Sequence, residues 1–170
     1  CDEKGATLKV IPVADNGELV MEEYDKLLTN KTRIVAVNHV SNALGTINPV
    51  NEITRKAHAV RAKVLIDGAQ STPHMKVDVQ DINCDFYTFS GHKMYAPSGI
   101  GGMFGKMEVM ETMSPYVTGG DMIMQVTLEK TTYAKPPARF EAGTPPISQV
   151  IGLGAAIDYL NAIGMDKIFE

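Results

Sequence analysis

The sequence predicts an α/β fold built on a mainly parallel sheet. Short apolar runs of strand length recur along the chain, and amphipathic helical stretches separate them. The stretches 33–38 and 63–66 hold the continuous apolar runs 34–37 and 64–66, as strands covered on both faces do, and 85–90 is aromatic and β-branched at its centre. Composition agrees: 170 residues, 44% hydrophobic and 21% charged, are enough for one core. No repeat, low-complexity tract or linker divides the chain, so one domain is expected.

Taken in order, 7–13 alternates loosely and reads as a strand, followed by the Asp15-Asn16-Gly17 turn signal. Met21, Tyr24, Leu27 and Leu28 recur at helical spacing, and that helix should end near Thr29-Asn30. The strand at 33–38 leads into a polar loop, then into Asn48 as N-cap and Pro49 as first helical residue. Val50, Ile53, Ala57 and Val60 supply the buried stripe of the next helix. The strands at 63–66 and 85–90 follow, joined by right-handed crossovers. Residues 99–105 form a glycine-rich returning strand, which an antiparallel course would suit, and 107–113 a short helix. Residues 118–142 read as a long functional loop with irregular strands. Val150, Leu153, Ile157 and Leu160 mark a last helix, stopped by Gly164.

Several function classes lose support at once. A net charge of −4 recommends neither nucleic acid nor an anionic membrane as partner. Aromatic residues make up 6% and Trp is absent, which disfavours a base-stacking surface. No stretch reaches the ~20 apolar residues of a membrane span, and no basic-then-apolar leader opens the chain. The cysteines, Cys1 and Cys84, lack metal-ligand spacing, so a reduced, cytoplasmic protein is the economical reading. His39, His58 and His74 have no carboxylate or cysteine at ligand spacing, and no metal is expected. Gly152-Leu153-Gly154 lacks the third glycine of a dinucleotide loop and reads as close helix packing. Arg139 fits either a salt bridge or the wall of a site. The chain starts without Met and ends within a helical pattern, so it reads as a piece of a longer protein.

The chemistry gathers at the predicted strand ends. In a parallel sheet, strands separated by one helix return to the same edge, where ligands bind. That edge should carry Asn42, then Asp67 with Gln70, then Ser90, His92 and Lys93. Asp67 follows Val64-Leu65-Ile66 directly, so its carboxylate wants a cationic or N–H partner. It could cap a helix, pair with a lysine, or face the ring nitrogen of a cofactor. Lys93 could be a solvated loop charge, or an amine of lowered pKa that forms a Schiff base. A lysine and an aspartate in the second pair of roles describe a pyridoxal phosphate site, with Ser90 and His92 as donors to the phosphate.

Asp67-Gly68-Ala69-Gln70 and Ser90-Gly91-His92-Lys93 together resemble the cofactor motifs of class V aminotransferase-fold enzymes. The likeness is closest to cysteine desulfurases of the Suf type and to selenocysteine lyases. The stretches 39–45, 84–87 and 139–145 are similar to that subgroup too, so the resemblance covers essentially the whole chain. It implies the type I fold of pyridoxal phosphate-dependent transferases, a three-layer α/β/α arrangement. Residues 1–170 would be the central part of its large domain, with the remaining parts and the small domain absent.

The resemblance also implies roles. Lys93 would be the catalytic residue, bonded to the cofactor and moving the Cα proton. Asp67 would hold the pyridine nitrogen protonated, and Gln70 would meet the phenolic oxygen with Asn42 nearby. Ser90 and His92 would bind the phosphate. Thr144 would reach the phosphate in a neighbouring subunit, which implies a homodimer. The implied reaction converts L-cysteine to L-alanine and an enzyme persulfide, passed to a Suf-type acceptor for iron–sulfur cluster assembly. Selenocysteine lyase, kynureninase-like and epimerase activities share the motif, and a non-catalytic binding fragment is the rival from another class. The family's sulfur-accepting cysteine and carboxylate-gripping arginine fall beyond Glu170, and neither Cys1 nor Cys84 matches that cysteine. The piece alone is therefore expected to be inactive.

Overall fold

The computed structural model describes every residue, 1–170. Its main sheet has four strands in the order β1 (Ile34–Asn38), β2 (Lys63–Asp67), β3 (Phe86–Ser90) and β4 (Gly101–Gly105). The first three are parallel and in step, with Asn38 opposite Asp67 and Asp67 opposite Thr88. β4 returns antiparallel beside β3, placing Gly101 opposite Ser90. The fold class is thus α/β with a mostly parallel sheet, as the alternation of apolar runs predicts.

Strand alternation divides the residues cleanly between the two faces. Val35, Val64, Ile66 and Tyr87 point to one face and meet Val50, Ile53 and Ala57 of α2 (Val50–Ala59), with Ile82 of α3 (Val79–Ile82) beside them. Both crossovers pass over this face, as successive right-handed connections in one direction require. α1 (Met21–Leu27) completes the layer through Tyr24, whose hydroxyl donates to the carbonyl of Ile53 at 2.8 Å. Burial, with Asp25 adding to it, pushes the Tyr24 phenol up to about 12, so it stays a donor.

On the second face Leu65 and Phe86 meet Val109 and Met110 of α4 (Met107–Met110), together with Phe140. The far side of that face is bare, and Ile34 on the edge strand is 57% exposed. α5 (Ile147–Ile163) runs past the segment that follows β3, and α6 (Met165–Phe169) succeeds it. Gly152 of α5 lies so close to Pro97 that a methyl group there would overlap its ring, which is the close packing expected of that glycine.

Two local expectations are corrected and a third is made specific. Residues 7–13 form no strand, only a bridge from Val13 to Leu19, because no strand lies alongside to complete a ladder. Asn48 does not cap α2: its amide donates to the carbonyl and the side-chain oxygen of Asn38, both at 2.9 Å, and Pro49 occupies the cap. Within 118–142 the irregular strands resolve into a hairpin of β5 (Ile123–Val126) and β6 (Thr131–Tyr133). No helix is long and apolar enough to cross a membrane.

Asp85, at the head of β3, is the most heavily used buried carboxylate. Its oxygens accept from the Val64 N–H at 2.8 Å, His58 Nε2 at 2.8 Å and Lys63 Nζ at 3.1 Å. Burial alone would raise its pKa; the bonds from His58, Val64 and Lys63 outweigh this and hold the carboxyl below its usual range. A depressed pKa contributes stability that is present above the unfolded value and lost as pH falls through the folded one. Urea midpoints should therefore drop as pH falls below about 4. Asp85→Asn should cost about 2 kcal/mol at neutral pH and flatten that acid limb. An unchanged limb in the variant would assign the acid sensitivity to other carboxylates.

Candidate active site

The carboxyl edge of the sheet is organised by the way β2 ends. The His39 N–H donates to the Asp67 carbonyl at 2.8 Å on one side, and the Gly68 N–H to the Thr88 carbonyl at 2.8 Å on the other. The ladder therefore grips the backbone of Asp67 between two neighbours. Alternation turns its side chain to the face shared by Leu65, away from the larger core. The carboxylate is exposed there, and Oδ1 accepts from the Ala69 N–H at 2.9 Å in an Asx turn. It pairs with no lysine, and its other oxygen is unspent.

β3 ends in the 3-10 turn Gly91–Lys93. The Gly91 N–H donates to the Ile100 carbonyl at 2.9 Å, and the Gly91 carbonyl accepts from Met94 at 2.8 Å and Ala96 at 3.1 Å. Only glycine fits: a Cβ there would lie 2.7 Å from a methyl of Ile100 and 2.8 Å from its carbonyl oxygen. Met94 is buried and anchors the far end of the turn. Ser90 and Lys93 are half-buried, His92 is exposed, and none of their side chains has a hydrogen-bond or ion-pair partner within the chain.

Gln70 lies in the turn after Asp67; its carbonyl meets His74 Nδ1 at 2.6 Å while its side-chain amide stays free. Asn42 sits exposed in the loop that leaves β1, a loop closed by the bridge of Val40 to Ile47 and by Ser41 Oγ accepting from Leu44 at 3.2 Å. The topology thus gathers Asn42, Asp67, Gln70, Ser90, His92 and Lys93 along one edge. Thr144 stands apart, exposed between Gly143 and α5, and no hydrogen bond links it to that edge.

Other residues gain roles that spacing alone does not reveal. His39, Tyr87 and Ser71, all buried, form a hydrogen-bonded chain behind the turn at 67–72: His39 Nδ1 lies 2.9 Å from the Tyr87 hydroxyl, which meets Ser71 Oγ. Arg139 is a clamp for carbonyls, donating to Ala134 at 2.9 Å and to Glu111 and Met113 at 3.1 Å. No group of His, Cys, Asp and Glu side chains could hold a metal ion. The sequence signal for the buried chain is weak, amounting to polar residues beside apolar ones near the strand ends.

The family described as aminotransferase class V matches residues 1–170. The chain belongs to that family. Among class-V relatives, a cysteine desulfurase of Dickeya dadantii is 57% identical over 166 residues, covering 97% of this chain and 40% of the relative. The crystal structure of a cysteine desulfurase from Escherichia coli superposes with a TM-score of 0.94 at 36% identity, covering 98% of this chain and 42% of that one. The apo structure of a cysteine desulfurase from Thermococcus onnurineus gives 0.89 at 40% identity, covering 95% and 40%. The chain spans between 26% and 42% of the length of the first curated relatives it matches. Within that span Cys84 is no candidate nucleophile. It is fully buried, and burial pushes its thiol up to about 11.

Gly91→Ala tests how the lysine turn is held. The added methyl must displace Ile100, so a loss of about 1–3 kcal/mol is expected. Chemical-shift changes should centre on 90–101 in a two-dimensional amide spectrum. A neutral substitution would show that the turn yields.

Proposed function

We propose that these residues form the cofactor-holding core of a pyridoxal phosphate-dependent cysteine desulfurase. The observation that carries this reading is the set of unspent polar groups on the sheet's carboxyl edge. At successive strand ends of that edge lie an amine, a carboxylate, an amide, a hydroxyl and an imidazole, with almost no internal partners. Elsewhere the buried Asp85, His39 and Asn48 have theirs, and Thr54 Oγ1 is the one buried side-chain polar atom without a partner. The donor set fits the cofactor: a primary amine for its aldehyde, a carboxylate for its ring nitrogen, and neutral or cationic donors for its phosphate.

Bound there, pyridoxal phosphate supplies an electron sink for the charge left on the substrate's Cα. The chain's own groups do the rest. Lys93 Nζ would hold the cofactor through its aldehyde group and would move the substrate's Cα proton. The Asp67 carboxylate holds a proton on the ring nitrogen, and a carboxylate fixed by an Asx turn is ready for that task. Gln70 donates to the phenolic oxygen, with Asn42 beside it, while Ser90 and His92 hold the phosphate. Thr144, apart from the edge, serves the phosphate of a second subunit, and the working form is a homodimer with shared sites. The substrate is L-cysteine, the products L-alanine and a persulfide. The persulfide passes to a Suf-type acceptor for iron–sulfur cluster assembly in the cytoplasm. The high identity to cysteine desulfurases supports this choice over other class-V activities. Since Cys84 is buried and Cys1 lies outside the edge, the reading takes the sulfur-accepting thiol from outside these residues.

Adding pyridoxal phosphate to the chain should produce a visible absorbance band, and borohydride reduction should fix the cofactor's mass on the peptide containing Lys93. Lys93→Ala should abolish both. A well-folded chain that shows neither would sink the reading. In the full-length enzyme, Asp67→Asn should keep the borohydride-fixed label but lose turnover by about 10²-fold, the scale of removing one preorganised charge partner. Full turnover in that variant would remove Asp67 from the role.

A further inference from the structure

We propose that Tyr87 is a positioning residue for the candidate site, acting from the opposite side of the sheet through His39, Ser71 and Gly68. This inference rests on the reading of the edge as a pyridoxal phosphate site and adds a layer behind it. By strand alternation the Tyr87 side chain points to the core face, while Asp67 points to the other. Between them lies the backbone of Gly68. A Cβ at Gly68 would overlap the Tyr87 ring, so the turn that carries Asp67 and Gln70 rests directly on that ring.

The hydroxyl ties the same turn down. Ser71 Oγ lies within hydrogen-bond reach of both the Gly68 carbonyl, at 3.2 Å, and the Tyr87 hydroxyl. The Tyr87 hydroxyl also shares a hydrogen bond with His39 Nδ1 at 2.9 Å, and the two rings meet edge-on, 6.0 Å between centroids. His39 closes the circuit, because its own backbone N–H donates to the Asp67 carbonyl at 2.8 Å. Thr72 adds its hydroxyl and its amide to the Gly68 carbonyl at 2.8 and 3.0 Å. The chain is neutral throughout: burial lowers the pKa of His39 and is the largest cause raising that of Tyr87. It is also fully buried, with Ser71 at 0% and Tyr87 at 3% exposure, so no water competes for its bonds. One circuit of hydrogen bonds thus holds both flanks of the residue assigned to the ring nitrogen. None of its side chains has to touch the cofactor.

The test uses Tyr87→Phe, which keeps the ring under Gly68 and removes the hydroxyl, and Ser71→Ala, which cuts the next link. In the cofactor-free chain, amide exchange at Ala69 and Thr72 should quicken about tenfold in both variants, while amides of Val64 and Ile53 in the core hold steady. With cofactor, half-saturation should rise about tenfold, the loss expected from one buried hydrogen bond, and the visible circular dichroism band should weaken. Unchanged exchange at Ala69 and Thr72 overturns the proposal. So does acceleration spread evenly over the sheet, which would make Tyr87 a general core residue. If the unaltered chain takes up no cofactor, the functional reading fails, and the exchange experiment still decides whether Tyr87 holds the turn.

Discussion

Everything at the carboxyl edge depends on one constraint: β2 lies between two parallel partners right to its last residue. An edge strand would leave the Asp67 backbone half-free, whereas here its carbonyl and the following amide are both taken. The side chain is therefore aimed by main-chain geometry before any ligand arrives. Neither Asn38 on β1 nor Thr88 on β3 needs special chemistry for this; being in register is enough.

The molecule also separates its polar groups by task. At the opposite end of the sheet Asp85 is saturated by an imidazole, an ammonium and an amide, and so becomes a structural anchor. Arg139 is spent in the same way on main-chain carbonyls and forms no salt bridge. At the carboxyl edge the corresponding groups are kept open. Burying a polar atom without a partner is costly, and Thr54 Oγ1 is the one such side-chain atom here; the open groups of the edge are exposed or half-buried, where solvent or a ligand can complete them.

Much of this was legible in the sequence. Apolar runs and helical stripes are local signals, and they located β1, β2, β3, α2 and α5 to within a few residues. The edge residues followed, because a parallel sheet returns every strand in the same direction. What stayed hidden was non-local. His39 and Tyr87 are 48 positions apart, and Asp85 meets His58 and Lys63 at separations of 27 and 22. No periodicity encodes such pairs. The misread strand at 7–13 failed for a related reason, since alternation speaks of a residue pattern and says nothing about whether a neighbour exists to pair with. Asn48 has the chemistry of a cap, but two acceptors on Asn38 claimed its amide.

The antiparallel return of β4 bears on which changes in length the protein tolerates. The lysine turn is zipped shut between Ser90 opposite Gly101 and the bond from Gly91 to Ile100. Insertions between the exposed Ser98 and Gly99, beyond the contact of Pro97 with Gly152, would bulge outward and leave the amine where it is. A slip of β4 by a single residue would be different, because strand faces alternate with period two. It would present the wrong face of Ile100 to Gly91 and loosen the turn that carries the lysine. Along this stretch, phase matters more than length.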